Sequence, residues 1–265
     1  MKETRVAETT VRGRIGEVES SLSTGKLAQL SDGAVAVSIG NTEVLVTATA
    51  SRRLREGVDF FPLTVDVEER TYAVGRIPGS FFRREGRATE KATLTARLID
   101  RPLRPNFADG YRHDTHVVAT VLAADLENPH DIIALNGASA ALTVGPIPFD
   151  GPIGSVRLAL IDGAWVPFPT YEQGEEAVFE IVVAGKRNAD GGIDIAMVEA
   201  GASEEGVRLV QAGARGSDEA TVAAARRCRR GQAGGRAFAD GSVGSANALR
   251  SSAPGAGLRI CLSLI

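Results

Sequence analysis

Two phenylalanines and three arginines lie within seven residues of this sequence, a combination that suits contact with a single-stranded nucleic acid. The segment Phe81 to Arg87, here called the arginine loop, has the sequence FFRREGR. Single-stranded RNA is commonly held by aromatic faces under its bases and by cations along its phosphates. Gly79 and Gly86 bracket the central residues and allow sharp backbone turns. The candidate contacts are Phe81, Phe82, Arg83, Arg84 and Arg87.

A second interpretation of the same residues is also open. One phenylalanine would belong to the core, and the arginines would pair with Glu69, Glu85 or Glu90. Exposed arginine clusters are often only solvated surface, whereas two adjacent phenylalanines are costly to expose without a partner. The residue types alone do not decide between the two interpretations.

Three further arginines follow the arginine loop. Arg97 and Arg101 lie four residues apart and would share one face of a helix, and Arg104 follows shortly after. These cations could extend a basic surface, or they could complement the negative end of the helix dipole. The dipole role is the simpler one for Arg97 and Arg101, and the sequence favours neither role for Arg104.

Two histidines with an aspartate near them resemble the beginning of a metal site. They are His113 and His116, with Asp114 between them. Zinc sites usually draw on three or four ligands, and no further ligand cluster lies nearby in the sequence. We therefore expect no metal site at these residues.

Length and composition predict a globular α+β protein of one or two domains. The 265 residues are 43% hydrophobic and 24% charged, with a formal net charge of -3. No apolar run approaches the roughly 18 residues that would span a membrane, and the N-terminal residues contain no apolar core of an export signal. Cys228 and Cys261 are the only cysteines, which suits a cytoplasmic location.

Alternating apolar residues predict the strands that would carry these side chains. Val35 to Ile39 and Val44 to Val46 flank the turn signal Gly40-Asn41, which predicts a β-hairpin. Phe61 to Val67 alternates in the same way. Val117 to Leu122 is nearly all apolar, as expected for a strand covered on both faces. Further strands are predicted at 155–161, 177–184 and 193–199.

A helix is predicted directly after the arginine loop. Thr89 can cap its first turn through the side-chain hydroxyl, and Glu90 suits the positive end of the helix dipole. The helix should run to Asp100 or slightly beyond, and Pro102 is expected to stop it.

A second helix is predicted from Asn128, which would cap it, to about Val144. Pro129 would occupy its first turn. The middle of this helix, residues 136–141, consists of small residues that would allow close approach to a sheet. Gly137 costs about 1 kcal/mol of helix stability relative to alanine, so tight packing or a ligand should compensate.

The C-terminal part of the sequence differs in composition. A short helix is predicted after Ser203, where two glutamates follow a capping serine. Residues 214–265 are dominated by Ala, Gly, Arg and Ser without a lasting period, which predicts a poorly ordered tail. The sequence thus divides into a folded core at 1–213 and a tail at 214–265. Translation in an alternative frame of GC-rich DNA is one hypothesis for the tail.

Five longer motifs occur in a fixed order along the core. They are GRIPGSFFRREGR at 75–87, ARLIDRPLRP at 96–105, NPHD at 128–131, NGASAAL at 136–142 and IPFDGPIG at 147–154. Together they resemble the first core of the bacterial polynucleotide phosphorylases. The resemblance implies an RNase PH-like fold, built twice in each subunit, and a homotrimeric ring around an RNA channel. It also implies phosphate-dependent 3′-to-5′ exoribonuclease activity in mRNA degradation, with Mg²⁺ and release of nucleoside diphosphates. Actinobacterial relatives have also been called guanosine pentaphosphate synthetases.

The resemblance gives the motifs specific expected roles. The arginine loop is similar to the one that lines the channel constriction, where it would contact single-stranded RNA. The arginine-rich segment 96–105 would lie close to the phosphate and RNA path. A phosphate-binding loop is implied at Asn136, Gly137 and Ser139. Ala138 stands where the family has a serine, which weakens that anion site.

The same resemblance indicates that this core is a non-catalytic copy. The family's catalytic core carries aspartates and a lysine just before a Val-Ala-Gly run. Here Glu180 could stand for one acid, while Val182 occupies the lysine position. No second carboxylate falls at the matching spacing, so Mg²⁺ ligands are expected to be absent. The chain is therefore expected to bind RNA without turnover.

Overall fold

Two β-sheets enclose the two longer helices of the chain. The structure is a computed structural model that describes residues 8–203, apart from 16–17, 55–56, 58, 80 and 189–191. The predicted tail, the boundary at residue 213 and the helix expected after Ser203 lie outside the described residues. Within them, no helix has both the length and the apolar character needed to cross a membrane.

The first sheet has six strands in the spatial order β1-β2-β3-β4-β6-β5. Their bounds are β1 Thr9–Ile15, β2 Val18–Thr24, β3 Gly33–Ile39, β4 Thr42–Ala50, β5 Leu63–Glu69 and β6 Thr115–Ala123. Neighbouring strands are antiparallel except β5 and β6, which are parallel. The predicted hairpin is confirmed as β3 and β4, and Gly40 takes a φ of 56° in its turn.

The second sheet has four antiparallel strands in the order β10-β9-β7-β8. Their bounds are β7 Gly154–Ile161, β8 Ala164–Pro167, β9 Phe179–Arg187 and β10 Ile193–Ala202. The three strands predicted here are thus confirmed, with ends shifted by a few residues. Strands β1, β2 and β8 and the short helix α3, Tyr171–Glu176, were not predicted. Strand β2 contains three serines, and the hydroxyl of Ser21 is hydrogen-bonded to that of Ser38 on β3 at 2.8 Å. Because these residues are polar, a search for alternating apolar residues does not detect this strand.

Helix α1, Glu90–Leu103, packs against β5 and also contacts α2 and β10. The predicted cap is confirmed, since the hydroxyl of Thr89 accepts a hydrogen bond from the Ala92 N–H at 2.9 Å. The expectation that Pro102 stops the helix was wrong. Pro102 is buried in the last turn, where the single hydrogen bond that it lacks is offset by packing.

Helix α2, Asp131–Val144, begins three residues later than predicted, because Asn128 has another partner. The Asn128 side chain donates to Asp125 at 2.7 Å, and its backbone N–H donates to the same carboxylate at 2.8 Å. Burial opposes the charge of Asp125, but these hydrogen bonds outweigh it and lower the pKa of Asp125 well below its usual range. The chain therefore forms a turn around Asp125 before the helix starts.

Helix α2 lies between the two sheets and contacts β3, β4 and β6 on one side and β7 on the other. A Cβ added at Gly137 would lie 2.7 Å from the Cγ2 atoms of both Val37 and Val46. The expectation that tight packing compensates for the glycine is therefore confirmed.

Strand β6 differs from its prediction, because its two faces are covered unequally. Val117, Ala119 and Val121 are buried against the helices, whereas His116 on the other face is exposed. Within the predicted run, the outer-face residues Val118, Thr120 and Leu122 are half-buried, so the expectation of a strand covered on both faces was only partly correct.

Replacing Gly137 with alanine is expected to destabilise the protein by about 1–3 kcal/mol. Alanine normally gains about 1 kcal/mol over glycine inside a helix, but the new methyl group would overlap two valines that have few alternative rotamers. Gly174 in α3 is the matched control, because no atom lies within 4 Å of its added Cβ. Urea denaturation should show Gly174→Ala as neutral or stabilising, and equal stabilisation of both variants would contradict this packing.

Candidate functional site

The arginine loop lies in the connection from β5 to α1. Strand β5 ends at Glu69, a 3₁₀ turn spans Thr71–Val74, and α1 begins at Glu90. Gly75 ends the 3₁₀ turn in the left-handed conformation, with φ at 69°. The connection therefore leaves the sheet at its edge strand and returns at the N-terminus of a helix.

Both phenylalanines of the arginine loop are exposed. Phe81 is 95% exposed and Phe82 is 69% exposed. Their ring centroids are 5.4 Å apart with an interplanar angle of 84°, and the guanidinium carbon of Arg84 lies 5.0 Å from the Phe82 centroid. The alternative in which one phenylalanine belongs to the core was wrong. The face of Phe81 is thus open to a planar ligand.

The three arginines of the loop are exposed and lack acidic partners. Among the residues that the structure describes, no carboxylate pairs with Arg83, Arg84 or Arg87. Arg83 also takes a φ of 46°, which costs a residue other than glycine about 1–2 kcal/mol. Such strained positions cluster at binding sites.

The carboxylates proposed as partners for these arginines are bound elsewhere. Glu85 accepts hydrogen bonds from the backbone N–H and the hydroxyl of Thr71, at 2.8 and 2.9 Å. Glu69 accepts from the hydroxyl of Thr89 at 2.6 Å. No ion pair among the described residues joins Glu90 to these arginines either. The alternative of internal arginine–carboxylate pairs at Glu69, Glu85 or Glu90 was therefore wrong, and the loop has a net local positive charge.

The three arginines that follow the loop have different environments. Arg97 and Arg101 are exposed on α1, and within the described part of the chain the one ion pair of Arg101 is a long contact of 3.6 Å with the exposed Glu199. The Arg104 guanidinium binds Asp100 at 2.8 Å and donates to the carbonyls of Phe61 and Leu63. These bonds tie the end of α1 to the start of β5. They argue against the RNA contact that was expected of Arg104.

The residues expected to bind phosphate are buried inside α2. Asn136 accepts hydrogen bonds from the backbone N–H and the hydroxyl of Ser155 at 2.8 and 2.9 Å, and it donates to the Ser155 carbonyl at 3.0 Å. Ser139 accepts from the Ile153 N–H at 2.7 Å. Gly137 packs between two valines. Because all three residues join α2 to its neighbours, the geometry argues against an anion site here.

A groove of about 520 Å³ lies between α1 and the second sheet, and Arg157 forms part of its lining. The Arg157 guanidinium contacts the carboxylates of both Asp131 and Glu180, the latter at 2.7 Å. Burial opposes its charge, but the two carboxylates outweigh the burial and raise the pKa of Arg157 above its already high usual value. The cluster is an internal ion triad between α2, β7 and β9.

The triad does not fit a magnesium ion. Mg²⁺ would need free carboxylate oxygens, and here the Arg157 guanidinium already forms ion pairs with both Asp131 and Glu180. Within the described residues, no group of three or more His, Cys, Asp and Glu side chains could hold a metal. His113 and His116 have separate partners, the carbonyl of Ser51 at 2.8 Å and the carboxylate of Asp66 at 2.7 Å.

Four residues that shape these sites had no such role predicted from the sequence. Asp131 and Arg157 complete the triad with Glu180, although the sequence spacing indicated no second acid near it. Thr89 and His130 contact Glu69 beneath the arginine loop. Thr89 was predicted only as a helix cap. These ion pairs and hydrogen bonds join residues that are far apart in the sequence. They can be identified only when the spatial arrangement of the strands and helices is known.

Comparison with known proteins gives consistent matches. The 3′ exoribonuclease family, domain 1, matches residues 19–148. The polyribonucleotide nucleotidyltransferase of Salinispora arenicola is 54% identical over 211 residues, which is 80% of this chain and 27% of that protein. The enzyme of the same name from Mycobacterium tuberculosis is 53% identical over 223 residues, or 83% of this chain and 30% of that protein. The chain thus spans less than a third of these relatives.

Two solved structures share the fold at low sequence identity. Rice (Oryza sativa) Rrp46 superposes with a TM-score of 0.53 and 13% identity, covering 86% of this chain and 93% of that one. A chain of the Archaeoglobus fulgidus exosome with RNA bound to the active site gives a TM-score of 0.54 and 14% identity, covering 85% and 87%. These superpositions support the RNase PH-like fold.

Proposed function

We propose that this chain is the non-catalytic, RNA-gripping part of a phosphate-dependent 3′-to-5′ exoribonuclease. The proposal is supported by the match to domain 1 of the 3′ exoribonuclease family and by the similarity to an N-terminal portion of polyribonucleotide nucleotidyltransferases. The observation that carries the proposal is the exposed pair of phenylalanines beside three arginines that have no acidic partner among the described residues.

Each part of the arginine loop has a role in this proposal. The open face of Phe81 stacks on a base, and the exposed arginines neutralise neighbouring phosphates. The contact of Arg84 with the ring of Phe82 orients both side chains before RNA arrives. Stacking and charge neutralisation are both largely independent of base identity. This suits an enzyme that must pass every sequence along one channel.

The absence of turnover in this part rests on the two buried clusters. In the groove that holds Glu180, Arg157 forms ion pairs with Glu180 and Asp131. Asn136 is bonded to Ser155 on β7, and Ser139 is bonded to Ile153, the residue before β7. In the proposed whole enzyme, phosphate and Mg²⁺ would act at another core. That enzyme would release nucleoside diphosphates from mRNA in the cytoplasm, as a homotrimer.

The purified chain is expected to bind oligo(A) without degrading it. Fluorescence anisotropy with labelled oligo(A) should show saturable binding that weakens as salt rises, because phosphate contacts release counterions. In the same samples, adding phosphate and Mg²⁺ should release no ADP. Phosphate-dependent ADP release by the purified chain would refute the non-catalytic assignment, and the absence of any oligo(A) binding would refute the RNA-gripping role.

A further inference from the structure

The two ends of the connection that carries the arginine loop are joined by one carboxylate. Glu69 is the last residue of β5, and Thr89 immediately precedes α1. Oε2 of Glu69 accepts a hydrogen bond from the Thr89 hydroxyl at 2.6 Å. Residues 20 positions apart in the sequence therefore meet at the base of the connection.

The other oxygen of Glu69 faces a third element. Oε1 lies 3.0 Å from Nε2 of His130, the residue that precedes α2. The His130 side chain is only 9% exposed, and its Nε2 has no aligned hydrogen-bond partner among the described residues. Burial lowers the pKa of His130, although the nearby carboxylates of Glu69 and Asp131 oppose the shift. Glu69 thus makes contacts with the starts of both long helices.

A second contact closes the connection just above this base. Glu85 holds Thr71 through two hydrogen bonds, to its backbone N–H and its hydroxyl. Beyond that contact, none of the described residues from Ile77 to Arg84 forms a hydrogen bond with the rest of the chain. The position of the tip therefore depends on how firmly its base is fixed.

Contacts at the base of the connection affect the direction of the arginine loop more than its conformational entropy. Loop-closure entropy depends only logarithmically on loop length, so shortening the free segment changes it little. A fixed base, in contrast, determines where the exposed rings and cations lie relative to the body of the protein. Contacts with a ligand are lost when the supporting residues allow even small displacements.

We propose that Glu69, Thr89 and His130 form a clamp that positions the arginine loop for RNA, with Glu69 as its central positioning residue. The inference rests on the proposed RNA-gripping function. It adds the residues that hold the gripping surface without touching RNA themselves. Thr89 then has two separable functions, because it accepts a hydrogen bond as the cap of α1 and donates one to Glu69.

Two substitutions of Thr89 separate these functions. Thr89→Asp keeps a good cap acceptor for the Ala92 N–H, but it cannot donate to Glu69 and places a second carboxylate beside it. Thr89→Ser keeps both the acceptor and the donor, so it is the matched control. We expect Thr89→Asp to bind oligo(A) roughly 3- to 10-fold more weakly, and Thr89→Ser to bind like the original chain.

Hydrogen exchange followed by mass spectrometry reports on the clamp independently of RNA. In Thr89→Asp, the peptide 70–88 should exchange several-fold faster, while the peptide 90–103 from α1 should be unchanged because its cap is retained. Equal exchange of 70–88 in both Thr89 variants would overturn the clamp. Faster exchange with unchanged oligo(A) affinity would overturn its positioning role if alanines at Arg83 and Arg84 still weaken binding. If those alanines also have no effect, the proposed function itself fails.

Discussion

Replacing Arg83 and Arg84 together with alanine is expected to weaken oligo(A) binding by roughly 10- to 100-fold at 0.1 M salt. Both side chains are exposed, and no described carboxylate pairs with them, so their charge is available to phosphates. Each phosphate contact on a single strand contributes about 0.7 to the slope of log K against log salt concentration. Loss of two contacts should make that slope less negative by about 1.4.

Arg52 and Arg53 provide the matched control for this double substitution. They are also adjacent and exposed, and they follow β4 at the end of the sheet where β5 begins. The arginine loop leaves from the other end of β5, roughly 20 Å away along the strand. Alanines at Arg52 and Arg53 remove the same net charge but should change the salt slope little. Equal slopes for both double variants would mean that the effect is only one of net charge.

Replacing Arg157 with methionine is expected to destabilise the protein by roughly 2–4 kcal/mol at pH 7. The guanidinium is 20% exposed and lies against Asp131 and Glu180, whose side chains are 13% and 31% exposed. Without it, two carboxylates would remain close together in a poorly solvated site. Because these side chains are partly exposed, we expect a smaller loss of stability than the largest losses found when a fully buried ion pair is broken.

Two further variants complete the test of the triad. Adding Asp131→Asn and Glu180→Gln to Arg157→Met removes all three charges and should recover most of the lost stability. Arg101→Met breaks only the exposed 3.6 Å contact with Glu199 and should cost about 0–1 kcal/mol. A loss as small for Arg157→Met as for Arg101→Met would show that the triad does not stabilise the fold.

Local signals in the sequence predicted much of the fold correctly. The β3–β4 hairpin, the Thr89 cap and the close packing of Gly137 all depend on residues near one another or on a strict period. The boundaries at Pro102 and Asn128 were wrong for a different reason. Tertiary burial retained Pro102 in the helix, and hydrogen bonds to Asp125 occupied Asn128. Both competing effects come from the folded context.

The candidate site could be predicted only in part for the same reason. The composition of the arginine loop indicated its chemistry, but exposure of Phe81 and the lack of partners for Arg83 are properties of the folded chain. The contacts of Glu69 with Thr89 and His130 depend on how a strand and two helices meet. A single sequence contains no signal for these distances.

The position of α2 between the sheets means that the family domain and the folding unit have different boundaries. The family match ends at residue 148, before β7 begins at Gly154. Yet Asn136 inside α2 forms three hydrogen bonds with Ser155 on β7. A fragment cut at the end of the family match would remove the hydrogen-bond partner of this amide and would expose to water the side of α2 that β7 covers. The strands that follow the family match therefore belong to the same folding unit as α2.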